Sequence, residues 1–82
     1  MKEEKVFDRP KPGWTSTYTS SDMGTERSVT IRNSEGKIIG QRDPFMAGIP
    51  INARRREARL RLVSREIIAG YDERMISHLS HF

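Results

Sequence analysis

The sequence predicts a small α+β domain: a three-stranded antiparallel sheet packed against one long C-terminal helix, preceded by a flexible arm. Three observations carry this. Two β-rich runs, Ser28–Arg32 and Lys37–Gln41, flank the turn-forming Asn33-Ser34-Glu35-Gly36. Leu60, Val63, Ile67 and Tyr71 recur at three- and four-residue spacing, the mark of a helix with one apolar side. Only 34% of the 82 residues are hydrophobic, so the core is small, and one sheet face closed by one helix is the simplest way to build it.

Residues 1–13 are charged and carry Pro10, Pro12 and Gly13, which predicts an arm without structure of its own; residues 14–82 then form the single domain. Trp14 to Ser20 alternates Trp14, Ser16 and Tyr18 with Thr15, Thr17 and Thr19. That fits a strand over about 14–20, although a Ser/Thr-rich linker has the same composition. Ser21-Asp22-Met23-Gly24 is a turn by composition. In the hairpin, strands over about 28–32 and 37–41 pair Arg32 with Lys37, placing Val29, Ile31 and Ile38 inward and Thr30, Ile39 and Gln41 outward. Arg32 and Lys37 then oppose each other as like charges.

Asp43-Pro44 ends the third strand. Phe45, Met46, Ile49 and Ile51 cap one end of the core, and Asn52 caps a helix over about 53–69 that can continue to 79. Gly70 is a plausible break, with Asp72 capping a second piece. The predicted core is Trp14, Tyr18, Val29, Ile31, Ile38, Leu60, Val63, Ile67 and Tyr71.

Several function classes lack their residues. No run approaches the roughly 20 apolar residues of a membrane span, and the N-terminus shows no apolar stretch of a signal peptide; a cytoplasmic protein, of a cell or of a virus within one, is the expectation. There is no cysteine, hence no thiol nucleophile and no cysteine-based zinc site. His78 and His81 are two ligands where zinc needs three or four. The carboxylates are scattered among bases, and no glycine-rich phosphate loop occurs. The expectation is a non-enzyme with no metal and no cofactor.

Charge is where the sequence speaks. Residues 1–50 carry a net +1 and residues 66–82 a net −2, whereas residues 51–65 hold six arginines against Glu57 alone, a net +5. At about 100° per residue, Arg54, Arg61 and Arg65 fall within about 40° of one another, Arg55 and Arg59 lie together elsewhere, and Arg56 falls near the apolar stripe. The bland account is a solvated face, with Glu57 and Arg61 well placed as an i, i+4 pair. Against it, cations at a helix N-terminus cost about 0.3–1 kcal/mol each at low salt. An anion such as a phosphate row meeting that end makes better sense of them.

Two short stretches resemble known families. Arg32-Asn33-Ser34-Glu35-Gly36-Lys37 followed by Gly40 looks like the hairpin of the DNA-binding domains of some phage integrases, which lay a sheet in the major groove; it covers about ten residues. Ala53-Arg54-Arg55-Arg56-Glu57-Ala58-Arg59 looks like the arginine-rich helices of phage antiterminators that bind RNA hairpins. The chain as a whole resembles no single family. The reading is a small regulatory protein contacting DNA or RNA through Arg54, Arg55, Arg59, Arg61 and Arg65, with Arg32 and Lys37 as secondary phosphate contacts. The competing class is a protein–protein interaction module, such as a small viral inhibitor meeting the arginines with an acidic surface, or a homodimer. Leu62, Ala69 and Ile76, on a helix side away from the main stripe, would be its interface.

Overall fold

A computed structural model describes residues 3–20, 27–45 and 53–79. Four strands, β1 (Glu3–Asp8), β2 (Thr15–Ser20), β3 (Arg27–Arg32) and β4 (Ile38–Arg42), form an antiparallel sheet in spatial order β1-β2-β3-β4. One helix, α1 (Ala53–Leu79), packs on it over β3 and β4. The predicted fold class holds, with four strands in place of three.

The extra strand lies in the stretch expected to be a flexible arm. β1 pairs with β2 through Glu3↔Ser20, Glu4↔Thr19, Lys5↔Tyr18 and Val6↔Thr17, then skips Phe7 to reach Asp8↔Ser16. The bulge turns Phe7 against the edge of the core. Its composition hid it. An edge strand is held by backbone hydrogen bonds and tolerates charge on both faces, and only Val6 and Phe7 in it are apolar. Gly13, at φ +78°, belongs to the turn that follows; a Cβ there would stand 2.8 Å from Cβ of Ser34.

β2 and β3 pair as the alternation requires: Ser16↔Ile31 and Tyr18↔Val29 face the helix, Thr17↔Thr30 faces away. The β3–β4 hairpin departs from expectation. Asn33 and Lys37 close the turn, with the Asn33 N–H donating to the Lys37 carbonyl at 2.9 Å. The Asn33 side-chain oxygen accepts from the backbone N–H groups of Glu35 and Lys37, each at 3.0 Å, and Gly36 takes φ +83°. Arg32 therefore opposes Ile38, not Lys37, and the expected like-charge pair is not formed. A one-residue change of register exchanges the faces of a strand. Ile38 is 50% exposed on the outer face, and Ile39, the extra residue before Ile31↔Gly40, packs against the core.

The core consists of Val29, Ile31, Phe45, Leu60, Val63 and Ile67, with Phe7, Trp14, Tyr18, Ile39 and Ile68 around it. Trp14 meets Tyr71 edge to face at 5.9 Å, and Tyr18 meets Phe45 likewise at 6.1 Å. Inside this apolar layer Ser16 and Ser64, both fully buried, share a hydrogen bond of 2.8 Å between their hydroxyls. The helix comes close to the sheet at Gly40, where a Cβ would run into Cγ2 of Ile67. α1 runs unbroken through Gly70, so the expected break there does not occur, and Asp72 caps nothing. Its carboxylate receives the Lys11 ammonium at 3.0 Å, with that ammonium 4.7 Å above the Trp14 ring. Met46, Ile49, Ile51, Asn52, His81 and the turn at 21–24 lie outside the described residues. No described helix is long and apolar enough to cross a membrane.

Candidate nucleic-acid interface

At about 1.5 Å per residue, the 27 residues of α1 span about 40 Å, yet among its described side chains the buried ones run only from Leu60 to Ile67. Arg54, Arg55, Arg56, Glu57 and Ala58 are all exposed. Arg56, placed by periodicity near the apolar stripe, is exposed because the stripe itself starts one turn later. The first turn contains no acidic residue, so nothing there offsets the positive end of the helix dipole.

The six arginines are held differently. Arg59 is half-buried and donates through Nε to the Pro44 carbonyl at 2.7 Å, which fixes the helix beside the end of the sheet. Arg61 meets Glu57 at 3.3 Å across one turn, a contact between exposed groups that stabilises little. Arg54, Arg56 and Arg65 form no ion pair among the described residues. Arg54, Arg55 and Arg56, at about 100° intervals, point to three different sides of the same turn.

Arg27 and Arg42, which periodicity did not single out, stand at the same end of the sheet. Arg27 lies 3.8 Å from Asp43 with its guanidinium 5.3 Å from the centre of the Phe45 ring. Arg42 meets Glu66 at 2.7 Å. Finding them required the β3–β4 register, which residue types alone do not fix. Arg42 is thus paired, and Arg27 stands near an acid with its buried Nε making no hydrogen bond among the described residues.

Arg32 and Lys37 are not part of this cluster. Arg32 opposes Thr15, next to Trp14, whose ring packs on Tyr71 near the far end of α1. Its guanidinium crosses the outer sheet face to Glu4 at 2.7 Å and reaches the Thr17 hydroxyl at 3.4 Å. Lys37 is exposed in the hairpin turn. On that outer face Gln41 donates to the Thr30 hydroxyl at 3.0 Å. The long side chains of Arg32 and Gln41 thus reach Thr17 and Thr30, which are buried although among the described residues no helix lies over them.

The Arg32 hydrogen bond, then that of Thr17, holds the Glu4 carboxyl below the usual glutamate range. A depressed carboxylate contributes stability above its unfolded pKa and loses it as pH falls through the folded one. Glu4→Gln should therefore lower the urea midpoint slightly at neutral pH, the effect being small because both partners are substantially exposed, leave the midpoint in strong acid unchanged, and so flatten the acid limb by that same small amount. An unchanged acid limb would leave Glu4 without a role in acid stability.

Leu62, Ala69 and Ile76 are exposed, Leu62 at 38% and Ile76 at 68%. They lie on the side of α1 opposite Leu60, Val63 and Ile67. Among the described residues no group of three or more histidine, aspartate or glutamate side chains is placed to hold a metal ion. No known family, curated protein or solved structure matches the chain.

Proposed function

We propose that this protein is a non-catalytic module that binds nucleic acid, DNA or RNA, through the N-terminal half of α1. The observation that carries the reading is the exposed turn Arg54–Ala58 with cations on three of its sides. A helix meeting a flat acidic surface needs charge on one side only. A helix lying in a groove has phosphates along both walls, and the major groove of B-form DNA, about 12 Å wide, admits one. Arg59, Arg61 and Arg65 continue the same half of the helix, giving four to six phosphate contacts in reach. Arg32 and Lys37, at the other end of the sheet, would contribute only to a ligand long enough to extend that far, and Arg32 would first have to leave Glu4. A regulatory role suits a small module that binds without chemistry of its own.

Phosphate contacts release counterions, so affinity falls with salt by about 0.9 logarithmic units per contact on duplex DNA. The wild type should show a slope near −4. Replacing Arg54, Arg55 and Arg56 together by glutamine should flatten it by between two and three units, weakening all sequences alike because phosphate contacts position without specifying. Glutamine keeps helix propensity nearly constant, so the comparison isolates charge. Fluorescence anisotropy with labelled duplex DNA, single-stranded DNA and an RNA hairpin measures it. An unaltered slope, or no binding by the wild type at low salt, would overturn the reading, and an acidic protein surface would become the arginines' best match.

A further inference from the structure

The outer side of α1 carries Ala58, Leu62, Ala69 and Ile76 within about 40° of one another, all exposed. We propose that α1 of a second copy of this chain covers this stripe, running antiparallel, so that the protein self-associates through its helix. The inference goes beyond nucleic-acid binding and does not depend on it.

Charge selects both occupant and direction. Residues 54–65 of α1 carry six arginines and one glutamate, a net +5, whereas residues 66–77 carry Glu66, Asp72 and Glu73 against Arg74, a net −2. A parallel pair would set the basic half on the basic half. An antiparallel pair sets each basic half beside an acidic one, and this chain supplies both from a single surface. A two-fold interface must be self-complementary in this way.

The flanks of the stripe agree. In an antiparallel pair each flank meets the same flank of its copy. Arg61, Arg65 and Asp72 share one flank, all within about 40°. A two-fold axis crossing α1 between residues 65 and 69 sets Leu62 against Ala69 or Ile76 of the copy. It also brings Asp72 of each chain to Arg61 or Arg65 of the other. Asp72 keeps 46% of its side chain exposed beside Lys11. On the second flank Glu66 is already neutralised within its own chain by Arg42, which reduces repulsion between the acidic side chains there. Ala69 near the crossing point lets the two backbones approach. With so few apolar side chains in the seam, the pair belongs to the weak, reversible class of interface.

The test is a charge exchange, followed by sedimentation equilibrium from micromolar to millimolar protein without nucleic acid. The wild type should show a mass rising toward the dimer. Arg61→Glu with Arg65→Glu in one chain, and Asp72→Lys in another, should each weaken pairing by about tenfold or more, because like charges then face each other. An equimolar mixture of the two should recover it, since every flank contact is again between opposite charges. Leu62→Lys should give a monomer with an unchanged far-ultraviolet circular dichroism spectrum. A wild type that stays monomeric throughout, a mixture no better paired than its components, or a Leu62→Lys chain that unfolds would each overturn the proposal. Arg61 and Arg65 are also among the phosphate contacts proposed above, so the sedimentation is read without nucleic acid and its outcomes are distinguishable from those of the salt-slope test, which replaces only Arg54, Arg55 and Arg56.

Discussion

Ile67→Ala is expected to destabilise the protein by about 2–5 kcal/mol, the range for truncating a buried isoleucine to alanine. For an 82-residue domain that is a large share of a total stability of about 5–15 kcal/mol. Ile67 is 6% exposed and occupies the space a Cβ on Gly40 of β4 would need. The same geometry makes Gly40→Ala costly, by about 1–3 kcal/mol of overpacking. The glycine's φ lies outside the left-handed region, so alanine meets no backbone strain there. Its new methyl would instead collide with Cγ2 of Ile67. Made together, the two substitutions should cost clearly less than their sum, because the methyl added at position 40 enters space that the isoleucine vacates. Urea denaturation of the four proteins gives the coupling directly. Strict additivity would mean that Gly40 and Ile67 do not share that space.

Ser64→Ala is expected to cost about 1–3 kcal/mol, more than the loss of one exposed hydroxyl, because it leaves the buried Ser16 hydroxyl without its partner. Ser16→Ala should cost a similar amount from the other side. The double replacement by alanine should recover most of the loss, since two methyl groups then face each other in an apolar layer. That sign pattern separates a satisfied polar pair from two serines tolerated for their size. Two single variants as stable as the wild type would show that solvent reaches the pair.

What residue types made legible, and what they did not, follows from where side-chain chemistry dominates. The inward stripe of α1 was readable because Leu60, Val63 and Ile67 all point at one apolar surface and the helical period leaves no second choice. The exposure of Leu62, Ala69 and Ile76 follows from the same period. β1 was not readable: its pairing uses backbone groups, which every residue has, and Pro10, Pro12 and Gly13 spoke for a loop. Residue types place Ile38 and Ile39 on the wrong faces because both are β-branched neighbours, and only the Asn33–Lys37 closure and the bulge at Ile39 decide between them. The arginine block was visible as charge, but its position relative to Arg32 and Lys37 was not. Separating the two ends of the sheet requires the three-dimensional course of the chain.

The strands lie in space in the order in which they occur in the chain, and this has a consequence for how the protein folds. Each strand pairs with its predecessor, so the sheet can assemble by successive hairpin closures, each across a short loop whose entropic cost is small. The distant contacts are those that fasten the start of the chain to the helix: Lys11 to Asp72, Trp14 to Tyr71 and Ser16 to Ser64, the first across 61 positions and the last across 48. Docking of α1 is therefore the step that orders the longest stretch of chain at once. Near-neighbour pairing closes quickly, so the seating of Ile67, Val63 and Ser64 on the β2–β3–β4 surface is the step expected to limit folding. Substitutions along that seam should slow folding, whereas those in β1 should act mainly by speeding unfolding.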